Sequence, residues 1–225
     1  SYTRSDALSC SVVPSKGLEV FSLTHAGDSL WAGSSHGKLL SWDLHTPSSP
    51  LGEPVVVDLH KPLGRLACIC NVGNKFIATS VASQLLVVDS QTKTLISVPG
   101  DHTSPVTSLA CINGHIWAGC EDGSITCWRV LEDGQPQQAF KWQAHKASVT
   151  GILFLRDDEL ANVITCSEDG TLKVWSQHTG LITLEVPNIS KVHSKSIIGL
   201  ALHKASSFSF ISVGADGSVG LWQLC

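Results

Sequence analysis

The stretch Thr165-Cys166-Ser167-Glu168-Asp169-Gly170-Thr171-Leu172-Lys173-Val174-Trp175 decides the fold. It predicts one β-strand, a tight turn at Asp169-Gly170 and a second strand that ends on Trp175. An acidic residue followed by glycine, placed between runs of alternating apolar residues, is a strong hairpin signal. We therefore expect this stretch to form a β-hairpin.

The same hairpin pattern recurs along the rest of the chain. Two further copies keep the acidic-glycine turn and the six-residue step from Asp to Trp, and two weaker copies keep only the spacing. The five turn positions are His36, Ala82, Asp122, Asp169 and Asp216, and the residues six positions later are Trp42, Val88, Trp128, Trp175 and Trp222. The turns are 40 to 47 residues apart. A period of about 40 to 45 residues built from strands is typical of a β-propeller with four-stranded blades.

The repeated hairpin resembles the WD-repeat family, and the resemblance covers nearly the whole chain. It implies an all-β protein, a propeller of four-stranded antiparallel blades, in which residues 1–225 form one domain. The five predicted blades span residues 17–59, 64–98, 102–142, 145–186 and 193–225. In WD-repeat propellers the N-terminus supplies the outer strand of the last blade, and here residues 8–13 would do so.

Two architectures are compatible with five units. The blades either close into a small five-blade ring or form part of a seven-blade propeller whose upstream blades are not in this sequence. The chain begins at Ser1 and contains no methionine, which favours the second alternative. An open arc would expose apolar strand edges and would tend to aggregate.

Composition narrows the functional class. The net charge is −4 and the pI about 6.2, so no general positive field attracts a nucleic-acid backbone, and we expect no generic nucleic-acid binding. The eight cysteines fall inside strand patterns without Cys-x-x-Cys spacing, which predicts reduced thiols, no metal and no other cofactor. A cytoplasmic or nuclear location is therefore expected. No signal segment or apolar run predicts membrane insertion.

Several units carry polar residues in the pattern that WD repeats use inside a blade. The resemblance implies a buried hydrogen-bonded tetrad: a His before the inner strand, a Ser or Thr on the second strand, the turn Asp and the third-strand Trp. The fourth unit has all four members, namely His145, Ser167, Asp169 and Trp175. The third and fifth units have Cys120 and Gly214 at the Ser position, and their other members are His102, Asp122, Trp128, His193, Asp216 and Trp222.

The first two units depart further from this pattern. Lys16 and Pro62 stand where His is expected, and His36 and Ala82 stand where Asp is expected. We therefore expect the first two blades to be held mainly by apolar packing and to be the softer part of the domain.

The group of His145, Ser167 and Asp169 also admits a catalytic interpretation as a Ser-His-Asp arrangement. Equivalent polar sets recur in the third and fifth units, whereas an active site is normally built once. The structural interpretation is therefore favoured, and we predict no catalytic residue and no enzyme activity. Labelling of Ser167 by a covalent serine probe would revive the hydrolase alternative.

Partners of WD-repeat propellers often dock on the face that carries the turn Asp. The resemblance places these candidate partner-binding residues there: Glu19, Phe21, Ser35, Arg65, Thr107, Glu121, Thr150, Glu168 and Ile198. Phe21, Arg65 and Ile198 are candidate anchors, because apolar or Arg side chains on a polar rim resemble binding hot spots. The alternative for Phe21 and Ile198 is that they only plug the central channel. The glutamates favour a basic peptide.

The fold-level resemblance implies a non-catalytic scaffold or adaptor that binds a protein or peptide, as part of a multiprotein complex. The alternative is a C-terminal regulatory or targeting domain of a larger enzyme or complex subunit, such as a kinase, a lipid phosphatase or a ubiquitin ligase. The sequence does not identify the partner.

Overall fold

The computed structural model describes residues 15–44, 52–59, 64–97, 102, 104–156, 161–176, 182–185, 193–203 and 209–223. Within these residues the regular structure is β-strand apart from one short 3-10 turn at Ser35–Gly37. No helix in this part of the chain is long and apolar enough to cross a membrane. The residues expected to close the last blade, 8–13, lie outside the described ranges, as does Pro62.

The described strands form five antiparallel sheets. The first sheet contains β1 (Val20–Ala26), β2 (Ser29–Ser34), β3 (Lys38–Asp43) and β4 (Val55–Asp58). The second contains β5 (Leu66–Val72), β6 (Phe76–Val81), β7 (Gln84–Asp89) and β8 (Leu95–Ser97). The third contains β9 (Val106–Ile112), β10 (His115–Cys120), β11 (Ser124–Val130) and β12 (Pro136–Gln143). The fourth contains β13 (Val149–Arg156), β14 (Ala161–Ser167), β15 (Leu172–Ser176) and β16 (Ile182–Glu185). The fifth contains β17 (Ile197–Leu202), β18 (Ser209–Gly214) and β19 (Val219–Gln223).

The predicted all-β propeller is confirmed, and each sheet is one blade. The hairpin that suggested it lies between β14 and β15, where Cys166 pairs with Leu172 and Val163 with Trp175. Gly170 has a φ of +78°, a left-handed conformation that glycine adopts without strain. In the third, fourth and fifth blades an Asp-Gly turn follows the second strand. The second blade has Ala82 at this turn, with a φ of +49°.

The blades lie side by side in chain order, with β1, β5, β9, β13 and β17 as the inner strands. The apolar core lies between neighbouring blades. Between the fourth and fifth blades, Leu172 and Val174 pack with Ile197 and Phe210. Burial of each such aliphatic side chain contributes about 1.5–3 kcal/mol to stability, so blade-to-blade packing is the main source of cohesion.

Polar bonds also tie each blade to the next. A side chain near the start of an inner strand donates a hydrogen bond to the first carbonyl of the following inner strand. Three such bonds are Ser22 Oγ to Leu66 O at 2.9 Å, Thr107 Oγ1 to Val149 O at 2.7 Å and Thr150 Oγ1 to Ile197 O at 2.5 Å. Cys68 Sγ lies 4.0 Å from Val106 O in the same role. The inner strands are thereby held in a fixed register.

The described arc is open. β1 and β17 do not make the close contacts that join the neighbouring inner strands within the described residues. The two ends of the arc therefore present sheet faces that no described blade covers.

Candidate functional site

The fourth blade contains a continuous hydrogen-bonded relay of buried and half-buried polar groups. Thr171 Oγ1 donates to the Asp169 carboxylate at 2.5 Å and also lies 2.7 Å from His145 Nδ1. His145 Nε2 lies 2.7 Å from Thr165 Oγ1, which accepts the indole N–H of Trp175 at 2.8 Å. The indole can only donate and the carboxylate only accept, so a neutral imidazole with its proton on Nδ1 satisfies every step.

The fifth blade repeats the relay with Ser in place of both Thr residues. Ser218 Oγ donates to Asp216 at 2.5 Å and lies 2.7 Å from His193 Nδ1. His193 Nε2 lies 2.6 Å from Ser212 Oγ, which accepts the Trp222 indole N–H at 2.7 Å. Both histidines are 2% exposed, so the relay replaces water for groups that have no access to it.

The third blade reaches a similar result with a different hydroxyl. Alanine occupies the position of Thr165, and Thr126 on β11 supplies the missing oxygen. Thr126 Oγ1 accepts the Trp128 indole N–H at 3.1 Å and lies 3.1 Å from His102 Nδ1. Ser124 Oγ donates to Asp122 at 2.6 Å.

The predicted role of Ser167 in the tetrad is wrong. Its hydroxyl donates to Ala147 O at 3.0 Å and accepts the Asp169 N–H at 3.1 Å, and it takes no part in the bonds to His145. The oxygen beside the histidine belongs to Thr165, two residues earlier on β14. The indole of Trp175 reaches Thr165, which lies two residues along β14 from Val163, the pairing partner of Trp175, whereas Ser167 lies at the end of β14 beside the turn.

This correction changes the assignment of the other blades. Gly214 and Cys120 are not departures at the hydroxyl position, because Ser212 and Ala118 occupy it. The fifth blade is therefore as complete as the fourth. The second hydroxyl, two residues after the turn Asp, was not predicted. Its recurrence could have revealed it, because Ser124, Thr171 and Ser218 all follow an Asp by two residues.

The first two blades lack the relay. In the first blade Ala32 occupies the hydroxyl position, and the buried Trp42 Nε1 has no hydrogen-bond partner in the described structure. Around it pack Ala32, Leu40, Leu18, Leu30 and Val56. In the second blade Val88 replaces the Trp, and Thr79 donates to its neighbouring strand at Cys68 O.

Hydrogen bonding lowers the pKa of the relay carboxyls. Burial by itself raises the pKa of Asp169. Hydrogen bonds from the Thr171 hydroxyl and from the Lys146 and Thr171 amides, together with His145, lower this pKa by more than burial raises it, so the net shift is downward. The Ser218 hydroxyl is the main cause of the lowered pKa of Asp216, and the Ser218 and Ser194 amides add to it. Both carboxyls are therefore held as anions at neutral pH.

The relays are not arranged as nucleophile and base. The hydroxyl at His145 Nε2 is that of Thr165, and that oxygen is occupied by the Trp175 indole. His145 Nδ1 is 3.7 Å from Asp169, with Thr171 bridging the two. The polar groups therefore act as blade supports. No group of three His, Cys, Asp or Glu residues suited to a metal ion occurs in the described ranges.

The cysteines behave as small apolar side chains. Burial raises the pKa of Cys127 and Cys166 to about 12 and that of Cys68 to about 11, despite small opposing effects at the latter two. All six cysteines that the structure describes are unpaired. A thiol with such a pKa is hardly ionised at neutral pH and is a poor nucleophile.

The turns after the second strands lie on one side of the arc, which we call the upper face. A cleft of about 490 Å³ opens there between the second, third and fourth blades. Its lining residues are Gly64, Arg65, Ala67, Ser80, Ala82, Pro105, Val106, Thr107, Glu121, Ser148 and Glu168. We call this the upper cleft. It brings together Arg65, Thr107, Glu121 and Glu168 of the predicted partner-binding set.

The two glutamates of the upper cleft have equivalent and fixed positions. Glu121 N donates to Pro105 O at 2.8 Å, and Glu168 N donates to Ser148 O at 2.9 Å. Each bond ties a turn to the residue before an inner strand. Both glutamates are exposed and line the cleft, so a ligand can reach them without breaking these backbone hydrogen bonds.

The other predicted partner-binding residues are placed differently. Phe21 is 40% exposed, and the Arg65 guanidinium lies over its ring at 5.6 Å from the centroid. Ser35 N donates to Glu19 O at 2.9 Å, at the first blade. Ile198 is 56% exposed and lies outside the upper cleft, on the fifth blade.

The hydroxyls of Thr107 and Thr150 serve the fold. Both donate to carbonyls of the following blade, which ties them to the blade junctions. Thr107 also lines the upper cleft. The sequence placed both residues among the candidate partner-binding residues, but it did not indicate that their hydroxyls donate hydrogen bonds to the following blade.

A second cleft on the upper face lies between the fourth and fifth blades. It has a volume of about 640 Å³, and its lining residues are Glu168, Asp169, Gly170, His193, Ser194, Lys195, Ser196 and Ala215. Glu168 borders both clefts, so the two form neighbouring parts of one surface.

Comparisons with known proteins agree with the propeller architecture. The family model described as the IP5P C-F beta-propeller matches residues 99–188. The chain is 31% identical over 201 residues to Protein ROOT INITIATION DEFECTIVE 3 of Arabidopsis thaliana, a match covering 82% of this chain and 43% of the relative. It is 27% identical over 153 residues to Type II inositol polyphosphate 5-phosphatase 15 of the same plant, covering 68% of this chain and 11% of the relative.

A third relative is the ribosome biogenesis protein WDR12 homolog of Trichoplax adhaerens, 25% identical over 123 residues, with coverage of 54% and 27%. Among solved structures, Saccharomyces cerevisiae Sqt1 superposes with a TM-score of 0.75 at 19% identity, covering 92% of this chain and 60% of that chain. The WD40 beta propeller domain of Doa1 gives a TM-score of 0.70 at 19% identity, with coverage of 92% and 65%. The chain spans less than half the length of the three relatives matched by sequence, at 43%, 27% and 11%.

Proposed function

Because the chain belongs to the WD-repeat β-propeller family, we propose that it is a non-catalytic interaction platform that binds a protein or peptide in the upper cleft. The observation that carries the proposal is the convergence of Arg65, Glu121 and Glu168 on one concave site. The site is built on turns whose backbone is fixed by hydrogen bonds, so it is preformed and loses little freedom on binding.

The chemistry of the cleft favours an extended segment with a basic side chain. Glu121 and Glu168 come from consecutive blades, and a Lys or Arg placed between them would meet two carboxylates. Arg65, which the second blade contributes to the lining, would favour an acidic or aromatic group. The volume of about 490 Å³ suits a few side chains of a peptide.

Affinity in such a site comes only partly from charge. Each exposed ion pair contributes about 0.2–1 kcal/mol, so the glutamates would act mainly on specificity and on the rate of encounter. The apolar part of the lining, with Ala67, Pro105 and Val106, would bury the stem of a long basic side chain.

The test is selection of peptides from a displayed random library, followed by titration with charge-reversed chains. We expect enrichment of Lys- or Arg-containing peptides and about tenfold or greater loss of affinity with E121K/E168K. The matched control is E132K, which reverses an exposed charge at the turn between β11 and β12. Equal affinity of wild type and E121K/E168K would overturn the assignment of the site.

A second candidate function is supported by the family model. A match described as a propeller of an inositol 5-phosphatase group, and a relative bearing that enzyme's name, favour a regulatory or targeting domain carried by a larger protein. An antibody to this segment, used on cell extract, distinguishes the alternatives. A band near 23.9 kDa supports a free-standing adaptor, and a much larger band supports an attached domain.

The unpaired, buried thiols favour an intracellular setting in the cytoplasm or nucleus. Membership of a multiprotein complex follows from the proposed platform role. Isolation of the tagged chain from fractionated cells tests both points.

A further inference from the structure

The backbone around Arg65 is held by two hydrogen bonds from the first blade. Gly64 O, just before Arg65, accepts the Gly37 N–H at 2.7 Å. Leu66 O, just after it, accepts the Ser22 hydroxyl at 2.9 Å. The Arg65 side chain therefore starts from a fixed position in the lining of the upper cleft.

The first blade also supports the Arg65 side chain itself. The guanidinium carbon lies 5.6 Å from the centroid of the Phe21 ring, and a cation over an aromatic face is attracted by that ring. Within the described part of the chain the guanidinium makes no ion pair. Phe21 occupies one of its faces, so its N–H groups are what it offers to a ligand.

The upper cleft has its positive charge on the second blade. Arg65 directly precedes β5, the inner strand of that blade. The equivalent residues of the third and fourth blades are Pro105 and Ser148, which directly precede β9 and β13 and carry no charge. All three residues line the cleft.

The negative charges of the cleft have the opposite distribution. Glu121 and Glu168 stand directly before the turn Asp of the third and fourth blades. The second blade has Val81 at this position, and that side chain is 7% exposed within the apolar core. The second blade therefore offers a cation without a neighbouring glutamate, and the third and fourth blades offer carboxylates without a neighbouring cation at the strand start.

These charges are available to a ligand. Arg65, Glu121 and Glu168 are all exposed, and among the described residues no ion pair joins the arginine to either glutamate. Opposite charges held apart on one surface favour a ligand whose own charges follow the complementary order.

We propose that the upper cleft recognises a bipolar segment, with an anionic oxygen group against Arg65 and a basic side chain between Glu121 and Glu168. This inference deepens the proposed platform function and rests on it. A guanidinium presents its N–H groups in a planar fork that matches two oxygens of a carboxylate or a phosphate. Arg65 is thus a specificity-determining residue, and Phe21 is a positioning residue that acts through it.

The blades set the spacing of the two charges on the ligand. Arg65 lies on the second blade and the glutamates on the third and fourth, so the two subsites are one to two blades apart. Packed sheets lie about 10 Å apart and an extended chain advances about 3.3 Å per residue, which separates the two charged residues by about three to six positions. A segment that binds in one direction carries them in one order.

Synthetic peptides test this proposal by titration against the intact chain, followed by fluorescence anisotropy. Each peptide of Ala and Gln carries one Lys and, about four or five positions away, a Glu, a phosphoserine or a neutral Gln, in both orders. One order of the bipolar peptides should bind about tenfold more tightly than the Lys-only peptide, and the reverse order should bind no more tightly than it. The larger gain, with Glu or with phosphoserine, identifies the source of the anionic group.

Two variants locate the effect on the protein. R65Q should abolish the gain from the anionic group without weakening the binding of the Lys-only peptide. F21A should reduce that gain to about threefold, again without weakening the Lys-only peptide. The Lys-only peptide therefore reports that each variant is folded and that its glutamates are in place. The matched control is R129Q, which removes an exposed arginine on β11 outside the cleft and should retain the full gain.

Four results would overturn the proposal. Equal binding of both orders to the wild-type chain would mean that the charges act only through the overall field. An undiminished gain in R65Q would place the anionic group elsewhere. Lys-only binding with no gain from either anionic group would remove the anion subsite and leave the proposed function standing. Failure of every peptide to bind would remove both.

Discussion

The fourth and first blades have the same strand order and the same Trp position, but the buried indole N–H of that Trp is hydrogen-bonded only in the fourth blade. Trp175 donates its indole N–H to Thr165, which connects it to His145 and Asp169. Trp42 has Ala32 in place of the hydroxyl and leaves its Nε1 without a partner in the described structure. The repeat therefore tolerates loss of its polar relay as long as apolar packing remains.

The difference between the two blades indicates which parts of the domain are held in one conformation. An unmade hydrogen bond in a buried site costs about 1–3 kcal/mol, which the first blade bears and the fourth avoids. A connected relay also allows only one arrangement of strands and turn, whereas aliphatic packing permits small shifts. We expect the relay blades to be the rigid part of the domain.

The largest expected loss of stability comes from removing the histidine at the centre of a relay. His145→Ala removes a 2% exposed ring and leaves Thr165, Thr171 and Asp169 without their shared partner, so it should lower the free energy of unfolding by about 3–5 kcal/mol. The matched control is Lys16→Ala, at the position expected for the first blade's His. Within the described residues Lys16 makes an exposed ion pair with Glu53, and its loss should cost less than about 1 kcal/mol. Urea titration measures both, and equal costs would contradict the comparison.

Hydrogen exchange sharpens the contrast between whole blades. The second and fourth blades are both flanked by described neighbours, but only the fourth has the relay. Amides of β6 and β7 should exchange at least about tenfold faster than those of β14 and β15, because about 1.4 kcal/mol less free energy separates their open and closed states. Mass spectrometry of peptides from exchanged protein gives the rates. Slower exchange in the second blade would mean that apolar packing rigidifies a blade more than the relay does.

A smaller effect isolates one hydrogen bond. Trp175→Phe and Trp42→Phe remove the same atoms from two nearly buried sites, but only Trp175 loses a bond. Trp175→Phe should therefore cost about 0.5–1.5 kcal/mol more than Trp42→Phe in chemical denaturation. If the two costs agree, the Trp175–Thr165 bond has no net value.

The smallest expected effect is on acid stability. The folded pKa values of Asp169 and Asp216 lie below the ordinary value of 3.8, so the stability that these carboxylates contribute is fully present above that value and is lost as pH falls through the folded pKa. The D169N/D216N double variant should lose less stability than wild type between about pH 5 and pH 2. Thermal unfolding across this range measures the slope. D133N removes a charge outside the relays and serves as control, and an unchanged slope in the double variant would contradict the prediction.

Much of the candidate site was predictable because its backbone frame is local. The turn Asp, the preceding residue and the start of each inner strand follow from the repeat, which is why Arg65, Glu121 and Glu168 could be placed on one face before the structure was known. The hydrogen bonds could not be placed in the same way. Thr165 and Ser167 differ by two positions on one strand and so lie on the same side, and only the distance to Trp175 and His145 distinguishes them.

The sequence by itself determined the strands, the turns and the repeating unit, because turn chemistry and the two-residue alternation of strands are local properties that recur along the chain. The tertiary structure alone decided which hydroxyls join the relays, that Thr107 and Thr150 bond across junctions, and which apolar rows become core. Leu172 and Val219 occupy equivalent positions and differ only in whether a blade lies against them, at 1% and 67% exposure. Burial depends on neighbours that are distant along the chain, and no local pattern contains them.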